Sequence, residues 1–174
     1  MEFLRGVNFP VISANIDSNK NPEFGRLFTK YTVLTVGGEK IGFVGYTTRN
    51  TPNFSRPGPT LLFTDEIEAI TAAVSELQNQ GVNKIIALGH SGYDIDQQIA
   101  AKVCGIDAVV GAHTHTFLYT GNPPTNHKPV GPYPTVVKSE CPTESNKEVP
   151  VVQAYEFGRY LGNLKLTFND LGKN

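Results

Sequence analysis

The chain has 174 residues, 39% of them hydrophobic and 18% charged, and a formal net charge of −1. That length and balance suit one globular domain with a real core and exclude a disordered chain. A near-neutral charge without any block of like sign excludes a nucleic-acid footprint, and no apolar run approaches the roughly 18 residues that span a bilayer.

In chain order, residues 1–7 carry no basic region followed by a long apolar core, so they do not read as a signal peptide. Residues 9–16 read as a buried strand closed by a turn cluster at 17–22. Residues 31–36 and 40–46 read as a hairpin through Gly37-Gly38. Residues 47–60, with Pro52, Pro57 and Pro59, form a long irregular stretch of the kind that is often functional or mobile. Within it, Asn53-Phe54-Ser55 makes Asn53 a glycosylation candidate, as in a secreted protein.

Thr64 or Asp65 caps a helix that runs to about residue 80, with Ile67, Ile70, Val74 and Leu77 on one face and Gly81 ending it. A strand at 84–88, a helix at 94–104 and a strand at 106–110 follow, with Gly105 stopping the helix. Together they make a β-α-β unit over residues 83–111 and set the fold class as α/β. Residues 117–134 read as a long surface loop, and 149–157 and 160–168 as an antiparallel pair. Two cysteines, Cys104 and Cys141, are too few for a disulfide framework, and Cys104 reads as a buried apolar residue of the helix.

The chemistry lies in two turns, Leu88-Gly89-His90-Ser91-Gly92 and Gly111-Ala112-His113-Thr114-His115-Thr116. Parallel strands joined by a right-handed crossover bring their C-terminal ends to one side of the sheet. His90, His113 and His115 are therefore expected to meet there, and neutral imidazoles are good ligands for zinc and similar divalent metals. His113 and His115, two apart, are expected to point the same way from an extended loop. His127, in the Pro-rich loop, reads as a solvated surface residue. A two-metal centre also needs bridging carboxylates. Asp94 and Asp96 read instead as first-turn carboxylates that favour the helix dipole, Asp107 opens a strand at the wrong end of the sheet, and no Asp-x-His or Gly-Asn-His occurs.

Several segments resemble the ecto-5′-nucleotidase family, which includes the secreted apyrases of blood-feeding arthropods. They are Asn8-Phe9-Pro10-Val11-Ile12-Ser13-Ala14-Asn15-Ile16, Lys84-Ile85-Ile86-Ala87-Leu88-Gly89-His90-Ser91-Gly92-Tyr93, Gly111-Ala112-His113-Thr114-His115-Thr116-Phe117-Leu118-Tyr119-Thr120-Gly121 and Val151-Val152-Gln153-Ala154-Tyr155. The resemblance implies a partial metallophosphoesterase sandwich, mixed sheets flanked by helices. Residues 1–174 would be the C-terminal portion of the calcineurin-like domain, without the nucleotide-binding C-terminal domain. It implies two zinc ions, with His90 and His113 on one and His115 on the other, and no catalytic His-Asp pair in this chain.

The implied reaction is hydrolysis of AMP to adenosine and phosphate, or of ATP and ADP as in an apyrase, with metal-activated water. The family resemblance also implies a secreted protein or one on the outer face of the plasma membrane, with dimer contacts through the absent domain. The isolated chain, lacking the carboxylates, is expected to be inactive and to expose sheet edges and apolar faces. The alternative is a truncated, non-catalytic secreted relative acting by metal, nucleotide or host-protein binding.

Overall fold

The computed structural model describes residues 2–169 and Gly172. Its elements are α1 (Glu2–Gly6), β1 (Ile16–Asp17), α2 (Pro22–Gly25), β2 (Tyr31–Val36), β3 (Glu39–Thr47), α3 (Thr51–Phe54), β4 (Leu62–Phe63), α4 (Glu66–Asn79), β5 (Ile85–His90), α5 (Tyr93–Lys102), β6 (Ala108–Val110), β7 (Thr135–Lys138) and β8 (Glu148–Val152). One sheet has six strands in the order β2-β3-β5-β6-β8-β7, and β1 pairs with β4 in a separate two-stranded sheet. The strands β3, β5, β6 and β8 run parallel, with β2 and β7 antiparallel at the edges.

The hairpin forms where both Gly37 and Gly38 take positive φ, 61° and 89°, the pattern that suits a tight two-residue turn. Asp65 caps α4 by accepting a hydrogen bond from the Glu68 amide. Ile70, Val74 and Leu77 of α4 and Ile99 of α5 are buried on one sheet face against Val44, Ile85, Val109, Val149 and Val151. The opposite face leaves Leu34, Val36, Leu88 and Val136 between 42% and 59% exposed. Parallel strands ordinarily have both faces covered, and among the described residues no helix packs on this second face.

Three expectations are corrected. The segment 9–16 has a single bridge, Ile12 to Thr29, and a turn at Ala14-Asn15 that leads into the two-residue β1. Pro10 lacks a donor, and the amides of Ser13 and Ala14 go to different partners, Thr29 and Gly45, so no regular ladder forms. The antiparallel pair at 149–157 and 160–168 is not made. Instead β8 lies between β6 and β7, an element whose Thr135-Val136-Val137-Lys138 alternation was obscured by the preceding Pro-rich loop, and 160–168 holds no regular element. Cys104 lies beyond the end of α5 and is joined to Cys141 in a disulfide, tying the α5–β6 turn to the loop between β7 and β8. Loop closure across distant segments, which sequence spacing does not reveal, made that pairing.

Candidate metal centre

Parallel pairing sets Leu88 of β5 level with Val110 of β6, so the residues that follow leave the same sheet edge together. His90 is the last residue of β5, its carbonyl accepting from the Thr48 amide at 3.0 Å. After β6, the Gly111 amide donates to the Val152 carbonyl at 2.9 Å, and the chain turns through residues 111–116. There the His90 and His113 rings come together edge to face, centroids 5.1 Å apart. Burial first, then the nearness of His113 and His115, holds the His90 imidazole below its ordinary pKa and favours the neutral form that metals bind.

His115 is the exception. The loop is not extended: His113 and His115 have φ of 88° and 49°, a left-handed region that side-chain-bearing residues enter at some strain. His115 also has partners of its own. His115 Nδ1 lies 3.3 Å from a Glu156 carboxylate oxygen, with the Phe157 ring against its face at 5.1 Å. Among the described residues no three His, Cys, Asp or Glu side chains converge as a ligand set. The arrangement offers two adjacent nitrogen donors at one rim, and the Phe54 ring leans on His113 at 5.3 Å while staying 68% exposed.

Asp94 is exposed on the first turn of α5, as expected. Asp96 is on the same first turn, as expected, but it is fully buried, accepting from the Tyr46 hydroxyl at 2.7 Å and the Gln153 amide at 2.9 Å. Its spacing to Ile99 and Val103, three and seven residues on, puts it on the apolar side of the helix, and that was the available signal. Asp107 sits at the far end, accepting from the Ile85 amide and paired with Lys147 at 3.0 Å. His127 is not a solvated residue: it is half-buried against Phe117 and Tyr155 and hydrogen-bonds Thr125 through Nδ1. Asn53 is exposed, in the short helix α3 within the irregular stretch.

No family model matches the chain. A 5′-nucleotidase of Rattus norvegicus is 53% identical over 171 residues, covering 97% of this chain and 29% of that protein. A snake venom 5′-nucleotidase of Gloydius brevicauda is 50% identical, covering 97% and 28%. Among solved structures, a 5′-nucleotidase precursor from Thermus thermophilus superimposes with a TM-score of 0.92 at 45% identity, covering 99% of this chain and 33% of that one. A calcineurin-like phosphoesterase from Bacillus subtilis shares the fold alone, at 21% identity and a TM-score of 0.57 over 68% of this chain and 41% of that one. The architecture is thus a partial metallophosphoesterase fold, and the chain spans less than a third of the curated relatives it matches. Half or more of the residues are identical to these relatives across nearly all of the chain, and it belongs to the 5′-nucleotidase family.

Proposed function

We propose that this chain forms one wall of the active site of an extracellular, divalent-metal-dependent 5′-nucleotidase, with His90 and His113 as ligands of one ion and His115 serving a second. The observation that carries the reading is the His90–His113 pair at the ends of adjacent parallel strands, in a chain 53% identical to a 5′-nucleotidase. The donor set fits the first ion: the His90 and His113 imidazoles are adjacent, and partial desolvation lowers the His90 pKa toward the neutral form. The same donor set is incomplete for two ions, whose charge needs carboxylates that the rest of the enzyme would supply. Zinc is the ion that imidazole donors of this kind suit.

When bound, such ions polarise the phosphate and activate water. The chain's own share is to hold His90 and His113 at a fixed separation and to leave Phe54 at the rim, where a substrate would enter. AMP is favoured over ATP and ADP because the relatives named above are 5′-nucleotidases. Three observations support an extracellular site: the Cys104–Cys141 disulfide, which oxidising compartments favour, the venom relative, and Asn53 as an exposed glycan acceptor.

The 174-residue chain is expected to release no phosphate from AMP. In the longer enzyme, hydrolysis is expected to need zinc and to fall to background in His113→Ala. Hydrolysis there that His113→Ala leaves intact overturns the assignment. Zinc-dependent release by the short chain, lost in His113→Ala, overturns its inactivity. The alternative reading is a truncated, non-catalytic secreted relative acting by metal, nucleotide or host-protein binding. It predicts that no form of the protein hydrolyses AMP.

A further inference from the structure

The turn that carries His113 and His115 is bracketed by one buried side chain. Gln153, 3% exposed just beyond β8, accepts from the Thr116 amide at 3.1 Å through Oε1. Through Nε2 it donates to the Ala112 carbonyl at 3.1 Å and to Asp96 Oδ2 at 2.9 Å. The two ends of its amide thus grip the backbone on either side of His113-Thr114-His115. Nothing in that turn belongs to a helix or strand ladder, and it contains two left-handed residues. Such a conformation persists only where its surroundings fix it.

An amide of this kind works in one orientation, and Asp96 selects it. An ionised carboxylate only accepts, so the NH2 end of Gln153 must face Asp96 and the oxygen must face the Thr116 amide. Asp96 is fixed in turn by the Tyr46 hydroxyl at 2.7 Å. Gly111 completes the fit: a Cβ there would fall inside the Asp96 carboxylate. The chain of contacts therefore runs from the core of β3 through α5 to the histidine turn.

We infer that Gln153, oriented by Asp96, is a positioning residue that holds His113 in its metal-binding geometry. The inference rests on the proposal that His113 is a ligand. It concerns a contact two steps removed from the metal, and ligand-orienting partners of that sort typically change affinity by about 10- to 100-fold.

The test measures the zinc dissociation constant of the longer enzyme, where the remaining ligands are present, by competition with a chromophoric chelator, together with hydrogen exchange at the Thr116 amide. Gln153→Met keeps the length of the side chain without its hydrogen bonds. It is expected to weaken zinc binding by about 10-fold or more and to speed exchange at Thr116. Asp96→Asn can still accept from Gln153 while its own NH2 donates to the Tyr46 oxygen, and it is expected to bind zinc close to the parent. Val103→Ala, a core truncation at the other end of α5, is expected to lower the unfolding temperature and leave zinc affinity unchanged. His113→Ala is expected to remove the binding.

Gln153→Met with parental zinc affinity, while His113→Ala loses it, overturns the positioning role alone. A loss in Val103→Ala equal to that in Gln153→Met reduces the effect to general stability and also overturns it. Zinc binding absent from the parent, or untouched by His113→Ala, overturns the ligand assignment and the inference with it.

Discussion

His90 and His113 sit edge to face with ring centroids 5.1 Å apart, whereas His115, two residues further on, is drawn to Glu156 at 3.3 Å. The three imidazoles are therefore not equivalent in the free chain. Alanine at His90 or His113 is expected to remove most zinc affinity, and His115→Ala to change it much less. Isothermal titration of the three single variants checks this. Equal losses in all three would mean that His115 leaves Glu156 to join the ion.

The disulfide ties together residues 37 apart in sequence. Closing a loop of that size is worth about 3–4 kcal/mol in the chain-entropy account. Cys104→Ser with Cys141→Ser is expected to lose that much, read as a lower urea midpoint with the slope little changed. The loss should be matched by adding reductant to the parent. A double variant as stable as the oxidised parent would show that the loop between β7 and β8 is held by other contacts, such as Lys147 with Asp107 and Glu144.

The sequence displayed the β-α-β unit and the hairpin because their signals are local: apolar spacing in α4, Gly37-Gly38, and Gly81 and Gly105 after the helices. It displayed His90 and His113 as neighbours because parallel pairing fixes where strand ends go. What it hid depends on long-range closure. β7 pairs with β8 across a loop, Cys104 finds Cys141, and Gln153 reaches back to Thr116 and Ala112, 37 and 41 residues earlier. The left-handed turn at His113 and His115 was hidden for another reason: neither residue type announces a positive φ.

Burial pushes the Asp96 carboxyl from its ordinary 3.8 up to about 6, against hydrogen bonds from Tyr46 and Gln153 that favour the ionised form. The folded state thus holds this proton more tightly than the unfolded chain does. Its contribution is fully present below about pH 4 and is lost as pH rises to about 6, an interval worth about 3 kcal/mol. Asp96→Asn has no proton to lose, so the fall in stability across that window is expected to flatten. Urea unfolding of parent and variant between pH 4 and 7 reads the difference, and parallel curves would place the titration elsewhere.

Leu34, Val36, Leu88 and Val136 lie on the sheet face that α4 and α5 do not cover, each more than two-fifths exposed. Strands buried on only one side ordinarily alternate apolar with polar residues, and these do not. An apolar face of this kind drives association. Replacing all four with threonine places a β-branched residue at each of these strand positions and removes most of the apolar surface. The expected result is a chain that stays monomeric at concentrations where the parent associates, with each change moving stability by no more than about 0.5 kcal/mol. Sedimentation velocity reads the first part and thermal unfolding the second. A large drop in unfolding temperature would mean that this face is packed in the free chain, against residues whose contacts the threonines break. An unchanged temperature with association abolished would mean that the face is open, as the sheet of a larger layered domain would leave it.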